Sequence, residues 1–141
     1  MSDHALTAIV GASDAVVRVA DQQRMRVVVV PMSGGVSALT LPGCLDMKLL
    51  FELALLVAAN GPAIVLACIP DEMYQAAWVV RPPEKTYAFL AIPGTRLPVP
   101  SHLAGIGESH VAKPIAEALA FAGFNADDLD VCQAVGKHKH G

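Results

Sequence analysis

The middle of the chain carries an apolar helix pattern that leads into an apolar strand pattern. Residues 53–59 contain no polar side chain, so we expect a helix that is covered on most sides. Lys48 and Glu52, four residues apart, mark its solvent-facing side. The sequence Asn-Gly-Pro at 60–62 predicts the helix end. Residues 63–69 form a short aliphatic run, typical of a strand buried on both faces, and this strand is predicted to be central.

Three shorter patterns come before this helix. Apolar residues recur between polar ones over 5–22, which predicts a helix that is interrupted or started anew around 11–14. Residues 25–31 include four consecutive valines, typical of an interior strand. The alternation over 36–41 predicts a second strand. A glycine pair at 34–35 can supply the positive φ angles of a turn, so the two strands are predicted to form a hairpin.

The second half of the chain predicts a further hairpin, an irregular segment and a last helix. Residues 73–80 favour a strand, with a helix as the open alternative. The proline-rich spacer 81–85 favours the strand, because it leads to a second β-rich run over 86–92. Residues 93–110 are rich in proline and glycine and predict a long loop, a kind of segment that is often functional. A helix follows over 115–122, begun by a proline and ended by a glycine.

These elements predict one α+β domain over residues 1–136, with a disordered tail over 137–141. Its largely antiparallel sheet has five strands flanked by helices, in the order α-β-β-α-β-β-β-α. This order resembles that of profilin-type and Roadblock-type regulatory domains, in which helices flank an antiparallel sheet and pairs of domains often join. Fold analogy does not carry function across. If residues 73–80 are helical, an α/β layered sheet is favoured instead.

Composition adds an expectation of self-association. Of the 141 residues 54% are hydrophobic and only 16% are charged, against roughly 25% charged in an average domain. We interpret the apolar surplus as an interface, and expect a homo-oligomer, at least a dimer. The helix pattern is too short and too charged to span a membrane, which takes roughly 20 apolar residues. The net charge of -3 without a basic stripe argues against nucleic acid as a partner.

Targeting and cysteine patterns indicate a cytoplasmic protein. Residues 1–4 show no secretory-signal pattern. Cys44, Cys68 and Cys132 are odd in number and far apart, which argues against a disulfide framework and against a structural zinc site. We therefore expect neither a metal ion nor a cofactor.

The candidate ligand site is the loop over 93–110. Its candidate residues are Arg96, His102, Gly105, Gly107, Glu108, Ser109 and His110. Arginine offers a planar fork of donors to a carboxylate or phosphate, and glycines allow backbone N–H groups to approach an anion. The last helix begins just beyond the loop, and its N-terminal end favours negative charge. The glycines do not fit a dinucleotide fingerprint, because prolines replace the strand that should precede them.

No catalytic set emerges from these residues. His102, Glu108 and His110 match no metal-ligand spacing, and no carboxylate is placed to orient a serine and histidine pair. The first functional hypothesis is a small cytoplasmic self-associating domain with a regulatory or protein-interaction role. The alternative is a small-molecule enzyme or ligand-binding protein that acts on an anionic ligand at the 93–110 loop.

Overall fold

The computed structural model describes residues 6–23, 27–41, 46–69, 74–82, 86–91 and 107–124. These residues form seven strands and three helices of an α+β fold. The strands are β1 (Leu6–Ala12), β2 (Val28–Pro31), β3 (Val36–Thr40), β4 (Ala63–Ile69), β5 (Tyr74–Val80), β6 (Tyr87–Ala91) and β7 (Gly107–His110). The helices are α1 (Ser13–Asp21), α2 (Met47–Val57) and α3 (Pro114–Ala122). Single 3-10 turns occupy Ser33–Gly35 and Ala58–Asn60.

All seven strands belong to one mixed sheet in the order β2-β3-β1-β4-β5-β6-β7. Neighbouring strands are antiparallel, except for the parallel pair β6 and β7. Strand β4 lies in the middle of this order and pairs along its whole length with β5, from Ala63 opposite Val80 to Ile69 opposite Tyr74. The prediction of a central strand after the apolar helix is confirmed.

Alternation along the strands divides the sheet into two buried faces. The helix-pair face is covered by α1 and α2, and its sheet residues are Ile9, Leu39, Ala63, Val65, Ala67, Ala76, Trp78, Val80, Ala88 and Leu90. The single-helix face carries α3, which contacts β4, β5 and β6; its sheet residues are Ala8, Val10, Val36, Ala38, Ile64, Leu66, Ala77, Val79 and Phe89. Because both faces are buried, the inner strands are apolar at consecutive positions.

Strand β1 corrects the helix predicted over residues 5–22. Only the part from Ser13 onward is helical, so the predicted new start near residues 11–14 is right and the helix before it is wrong. β1 lies between β3 and β4, and Ala8, Ile9 and Val10 are all buried. When both faces of a strand are buried, apolar residues no longer alternate with polar ones. Sequence periodicity then cannot distinguish the strand from a helix. At Gly11, a Cβ would lie 2.5 Å from a methyl carbon of Val57, so glycine lets α2 approach the strand.

The prediction of five strands is wrong, because it included neither β1 nor β7. β7 has the sequence Gly-Glu-Ser-His, with no β-branched or aromatic residue to mark it as a strand. It is set by parallel pairing with β6, from Tyr87 opposite Gly107 to Leu90 opposite His110. The predicted element order, and the resemblance to profilin-type and Roadblock-type domains drawn from it, are therefore not confirmed.

Both predicted hairpins are present. β2 and β3 pair antiparallel across a turn in which Gly34 has φ 78° and Gly35 has φ 74°. β5 and β6 pair antiparallel across the proline-rich spacer. Since Tyr74–Val80 is a strand, the helical alternative for residues 73–80 is wrong, and with it the α/β layered sheet.

Helix α2 is exposed on a wider side than its sequence predicts. Its N-cap is Asp46, whose carboxylate accepts a hydrogen bond from a backbone N–H of the first turn at 3.2 Å. Lys48 and Glu52 are exposed, as expected. However, Leu55 and Leu56 are also exposed, so the expectation of cover on most sides is wrong for the C-terminal half of this helix.

Helix α3 matches its prediction closely. Pro114 occupies the first turn, and Gly123 ends the helix in the left-handed conformation with φ 78°. Ile115, Leu119 and Ala122 are all buried. They pack α3 onto the single-helix face.

No described helix has both the length and the apolarity needed to cross a bilayer. The predicted domain limits, residues 1–136, and the predicted disordered tail over 137–141 extend beyond the described residues and stay predictions.

Candidate functional site

The candidate ligand residues fall into two groups. Arg96, His102 and Gly105 lie outside the described residues, so their convergence with the others stays a prediction. The remaining four, Gly107, Glu108, Ser109 and His110, make up the whole of β7. Their assignment to an irregular loop is wrong, because they lie in an extended strand at the edge of the sheet.

Two of the β7 residues are engaged by Tyr87 of β6. A Cβ at Gly107 would lie 2.6 Å from two ring carbons of Tyr87, so the aromatic ring occupies the space above the glycine. The Ser109 hydroxyl lies 2.7 Å from the Tyr87 hydroxyl, within a hydrogen bond. Gly107 therefore serves ring packing, whereas His110 is exposed at the end of the strand.

The aromatic cluster, formed by Tyr87, Phe89 and Phe121, joins α3 to β6. Tyr87 stacks on Phe121 with ring centroids 5.3 Å apart, and Phe89 meets Phe121 edge-on at 5.5 Å. The guanidinium carbon of Arg81 lies 5.2 Å from the centre of the Phe121 ring, within the range of a cation–π interaction. These contacts hold Phe121 in place although 43% of its surface is exposed.

Sequence reasoning missed the aromatic cluster as a feature. Tyr87 and Phe89 stand two apart in a strand and so share a face, which was a usable signal. Nothing local relates them to Phe121, which is more than thirty positions further along the chain. Only the docking of α3 across β5 and β6 brings the three rings together.

The outer side of α3 carries an open groove of about 360 Å³. Its lining residues are Val111, Ala112, Lys113, Ala116, Glu117 and Ala120. Within the helix, Ala116 and Ala120 stand about one turn apart, as do Glu117 and Phe121, whereas Ala112 and Lys113 precede its first residue, Pro114. We call the groove together with Phe121 the α3 surface.

A second exposed apolar area lies on the helices of the opposite face. Val17 of α1 is 46% exposed, and Leu55 and Leu56 of α2 are 40% and 48% exposed. With Phe121, these are the large apolar side chains of the described residues that are exposed rather than buried or half-buried. Exposed apolar groups therefore occur in both helical layers.

The polar groups near these surfaces can be described in part. Within the described ranges, no three His, Cys, Asp or Glu side chains come together as a metal site. The Ser109 hydroxyl shares a hydrogen bond with the Tyr87 hydroxyl, and the Ser13 hydroxyl shares one with the Ser37 hydroxyl at 2.7 Å. The groove on α3 is lined by four apolar side chains and by Lys113 and Glu117.

No protein-family model matches the chain, and neither a curated protein nor a solved structure matches it.

Proposed function

We propose that this protein is a small self-associating domain with a regulatory or protein-interaction role. The observation that supports this most directly is the exposure of large apolar side chains on both helical layers, namely Leu55, Leu56 and Phe121. Removing such groups from water is the main favourable term in protein association. Single exposed hydrophobic residues are common on monomers, so the argument rests on their grouping.

The grouping differs between the two layers but favours association in each. Leu55 and Leu56 are adjacent, at the end of α2 that has no charged residue. Phe121 is exposed near the end of α3, and its ring already contacts Tyr87 and Arg81. A side chain that is ordered before binding loses little conformational entropy when a partner covers it. Pre-ordered aromatic groups are therefore well suited to an interface.

The proposal keeps the cytoplasmic location expected from the sequence. Its support is the cysteine usage, with three cysteines and no paired spacing.

Light scattering over a range of micromolar concentrations tests self-association. We expect a mass that rises towards at least twice 14.7 kDa as concentration increases. A Leu55→Gln, Leu56→Gln double variant keeps good helix formers and removes apolar surface from α2 alone. Glu52→Gln on the same helix is the matched control, because it changes an exposed side chain without changing apolar surface. A single 14.7 kDa species at every concentration would reject the proposal.

The alternative, an anionic ligand held by residues 93–110, has less support. Of its described residues, Gly107 lies beneath the Tyr87 ring and Ser109 is bonded to the Tyr87 hydroxyl. Both residues therefore already make contacts within the protein. A thermal-shift screen of anionic metabolites tests this alternative. A ligand that stabilises the wild type but not an Arg96→Ala, His110→Ala double variant would favour it.

A further inference from the structure

We infer that β2, the edge strand at one side of the sheet, pairs antiparallel with β2 of a second copy of this chain about a twofold axis at Val29. This pairing rests on the proposed self-association and gives it a site in the sheet. Three features of the β2 edge carry it: the direction of its main-chain groups, its uncharged sequence and the open end of the core beside it.

The main-chain groups of β2 point alternately towards β3 and towards the outer edge. The Met32 N–H donates to the Val36 carbonyl at 2.9 Å. The Val28 carbonyl accepts from the Thr40 hydroxyl at 3.2 Å, so residues 28 and 32 both face β3. In an antiparallel pair the odd-numbered positions between them face the other way. The N–H and C=O of Val29 therefore point outwards, where no strand of the described residues lies beyond β2.

An antiparallel copy of β2 matches the donors and acceptors of this edge. With the axis at Val29, its N–H and C=O meet the C=O and N–H of the same residue in the second copy. Val27 follows the same alternation, and its N–H meets the carbonyl of Pro31. Proline has no N–H, so the pairing ends at Pro31. Every N–H that residues 27–31 point outwards thus finds an acceptor in the second copy.

The side chains that meet across this axis are apolar. β2 has the sequence Val-Val-Val-Pro, whereas natural edge strands that avoid pairing usually carry a charge. The axis places Val28 opposite Val30 of the second copy, and Val29 opposite itself. Pairs of β-branched residues on neighbouring strands are favourable, and all three valines are still half-buried. Because residues 27–31 bear no charge, two identical strands do not repel each other.

The core beside β2 selects a whole second copy over a single peptide strand. Val27 and Val29 pack against the core of the helix-pair face but are only half-buried, and so is Ala20 of α1. The open end of this core therefore includes the sheet and the helix layer. A twofold axis perpendicular to the sheet brings the same open end of a second copy against it, strand beside strand and helix layer beside helix layer. A peptide would cover the strand alone.

Helix α1 leaves the β2 edge accessible, and the resulting interface is small. α1 contacts β1, β2 and β3, with β3 in the middle of these three strands, so the helix lies inside the edge. β2 has only four residues, so the interface belongs to the class below about 1,200 Å² in total, which is typical of weak complexes. We therefore expect dissociation in the micromolar range.

A proline substitution on the full chain tests the pairing by sedimentation equilibrium. Val29→Pro removes the outward N–H and leaves the bonds between β2 and β3 in place, because an edge position with its N–H towards solvent tolerates proline. We expect the dimer to dissociate at least about tenfold more readily. Val29→Thr is the matched control, since it keeps the N–H and the β-branched shape, and its dissociation constant should stay near that of the wild type. Circular dichroism and the melting temperature report whether each variant is folded.

A cysteine variant tests the position of the axis and does not depend on the proline variant folding. Opposite residues of a hydrogen-bonded antiparallel pair have Cα atoms about 5.5 Å apart, within the range of a disulfide. Mild oxidation of Val29→Cys should therefore link position 29 of one copy to position 29 of the other, as identified by mass spectrometry. Val17→Cys, on the exposed side of α1, is the matched control and should give no such link. The oxidised wild type shows the background from the native cysteines.

The pairing is refuted if folded Val29→Pro dimerises like the wild type, or if Val29→Cys gives no more linked product than Val17→Cys. A dimer that survives both changes at Val29 but is lost with Leu55→Gln, Leu56→Gln would move the interface to α2 and leave the proposed function standing. A wild type that is monomeric throughout would remove both.

Discussion

The two faces of the sheet are buried by different means. On the helix-pair face, two helices cover the strands, and Trp78 lies under α2 with its ring 5.6 Å from that of Phe51 in an edge-on contact. On the single-helix face, one nine-residue helix lies over β4 to β6, and its outer end is fixed by the aromatic cluster, which includes a ring that is 43% exposed. The aromatic contact on the helix-pair face lies inside the core. The aromatic cluster on the single-helix face lies at the edge of that face, where the Phe121 ring is partly exposed.

This difference separates stability from binding. Removing an aromatic side chain from a closed core destabilises the fold, because it leaves a cavity and loses packing contacts. Such a side chain has no surface left to offer a partner. Aromatic groups at the edge of a face contribute less to the free energy of unfolding, because water already reaches them, but another molecule can still contact them. We therefore expect changes on the helix-pair face to affect unfolding most, and changes around Phe121 to affect association most.

The largest effect should come from the core aromatic residue. Trp78→Ala removes a side chain that is 3% exposed, and we expect unfolding to become easier by about 3–5 kcal/mol. Phe121→Ala on the other face should cost only about 1 kcal/mol, the usual worth of a partly exposed aromatic contact. Urea denaturation measures both. Val17→Ala is the control for an exposed apolar residue and should change little. Equal losses of unfolding free energy in the Trp78 and Phe121 variants would contradict the expected difference between the two faces.

The second effect concerns the two crowded glycines, one on each face. Gly11→Ala drives a methyl group towards Val57, which is buried and β-branched, and should destabilise by about 1–3 kcal/mol. Gly107→Ala meets the ring of half-buried Tyr87 at the sheet edge, where the ring can tilt, so we expect a smaller loss. Thermal unfolding monitored by circular dichroism compares them. Gly35→Ala, which meets nothing within 4 Å but has φ 74°, measures the cost of positive φ alone. A larger loss at Gly107 than at Gly11 would reverse the expected order.

The third effect concerns how much a side-chain cap contributes to the stability of the helices on the helix-pair face. Asp46→Ala removes the side-chain cap of α2 and should cost about 1 kcal/mol. Asp14 lies in the first turn of α1, where no side-chain cap bond forms, so Asp14→Ala loses only a favourable dipole contact. Chemical denaturation of the two matched variants gives the difference. If the two losses are equal, the cap bond contributes nothing beyond the charge.

The smallest effect lies in the two hydroxyl pairs, again one on each face. Double-mutant cycles on Ser13 with Ser37, and on Tyr87 with Ser109, should each give a coupling energy of about 0.5–1.5 kcal/mol. The alanine and phenylalanine replacements (Ser→Ala, Tyr→Phe) keep the shape of each site. We expect the stronger coupling for Ser13 with Ser37, because Ser37 is buried. Absence of coupling at Tyr87 would mean that the hydroxyl pair adds nothing to the parallel pairing of β7 with β6.

The sequence by itself determined the elements whose signals are local. Chain breaks and caps located α2, α3 and both hairpins, since a glycine with positive φ or a proline in the first turn acts on its own neighbours. The short aliphatic run of β4, which follows a helix stop, was enough to predict a central strand, because a strand buried on both faces can be apolar at every position. The apolar surplus that predicted an interface is likewise a property of composition, and the interface itself stays a prediction.

Only the tertiary structure decided the features that depend on distant residues. β1 carries a helix-like apolar pattern and becomes a strand because β3 and β4 pair with it on both sides. β7 carries no strand signal and is set by the edge of β6. The aromatic cluster and the α3 surface arise from the docking of one helix across the sheet, which joins Tyr87 to Phe121. Local propensity differs by about 1 kcal/mol between residue types, so pairing and burial contributed by distant strands override it.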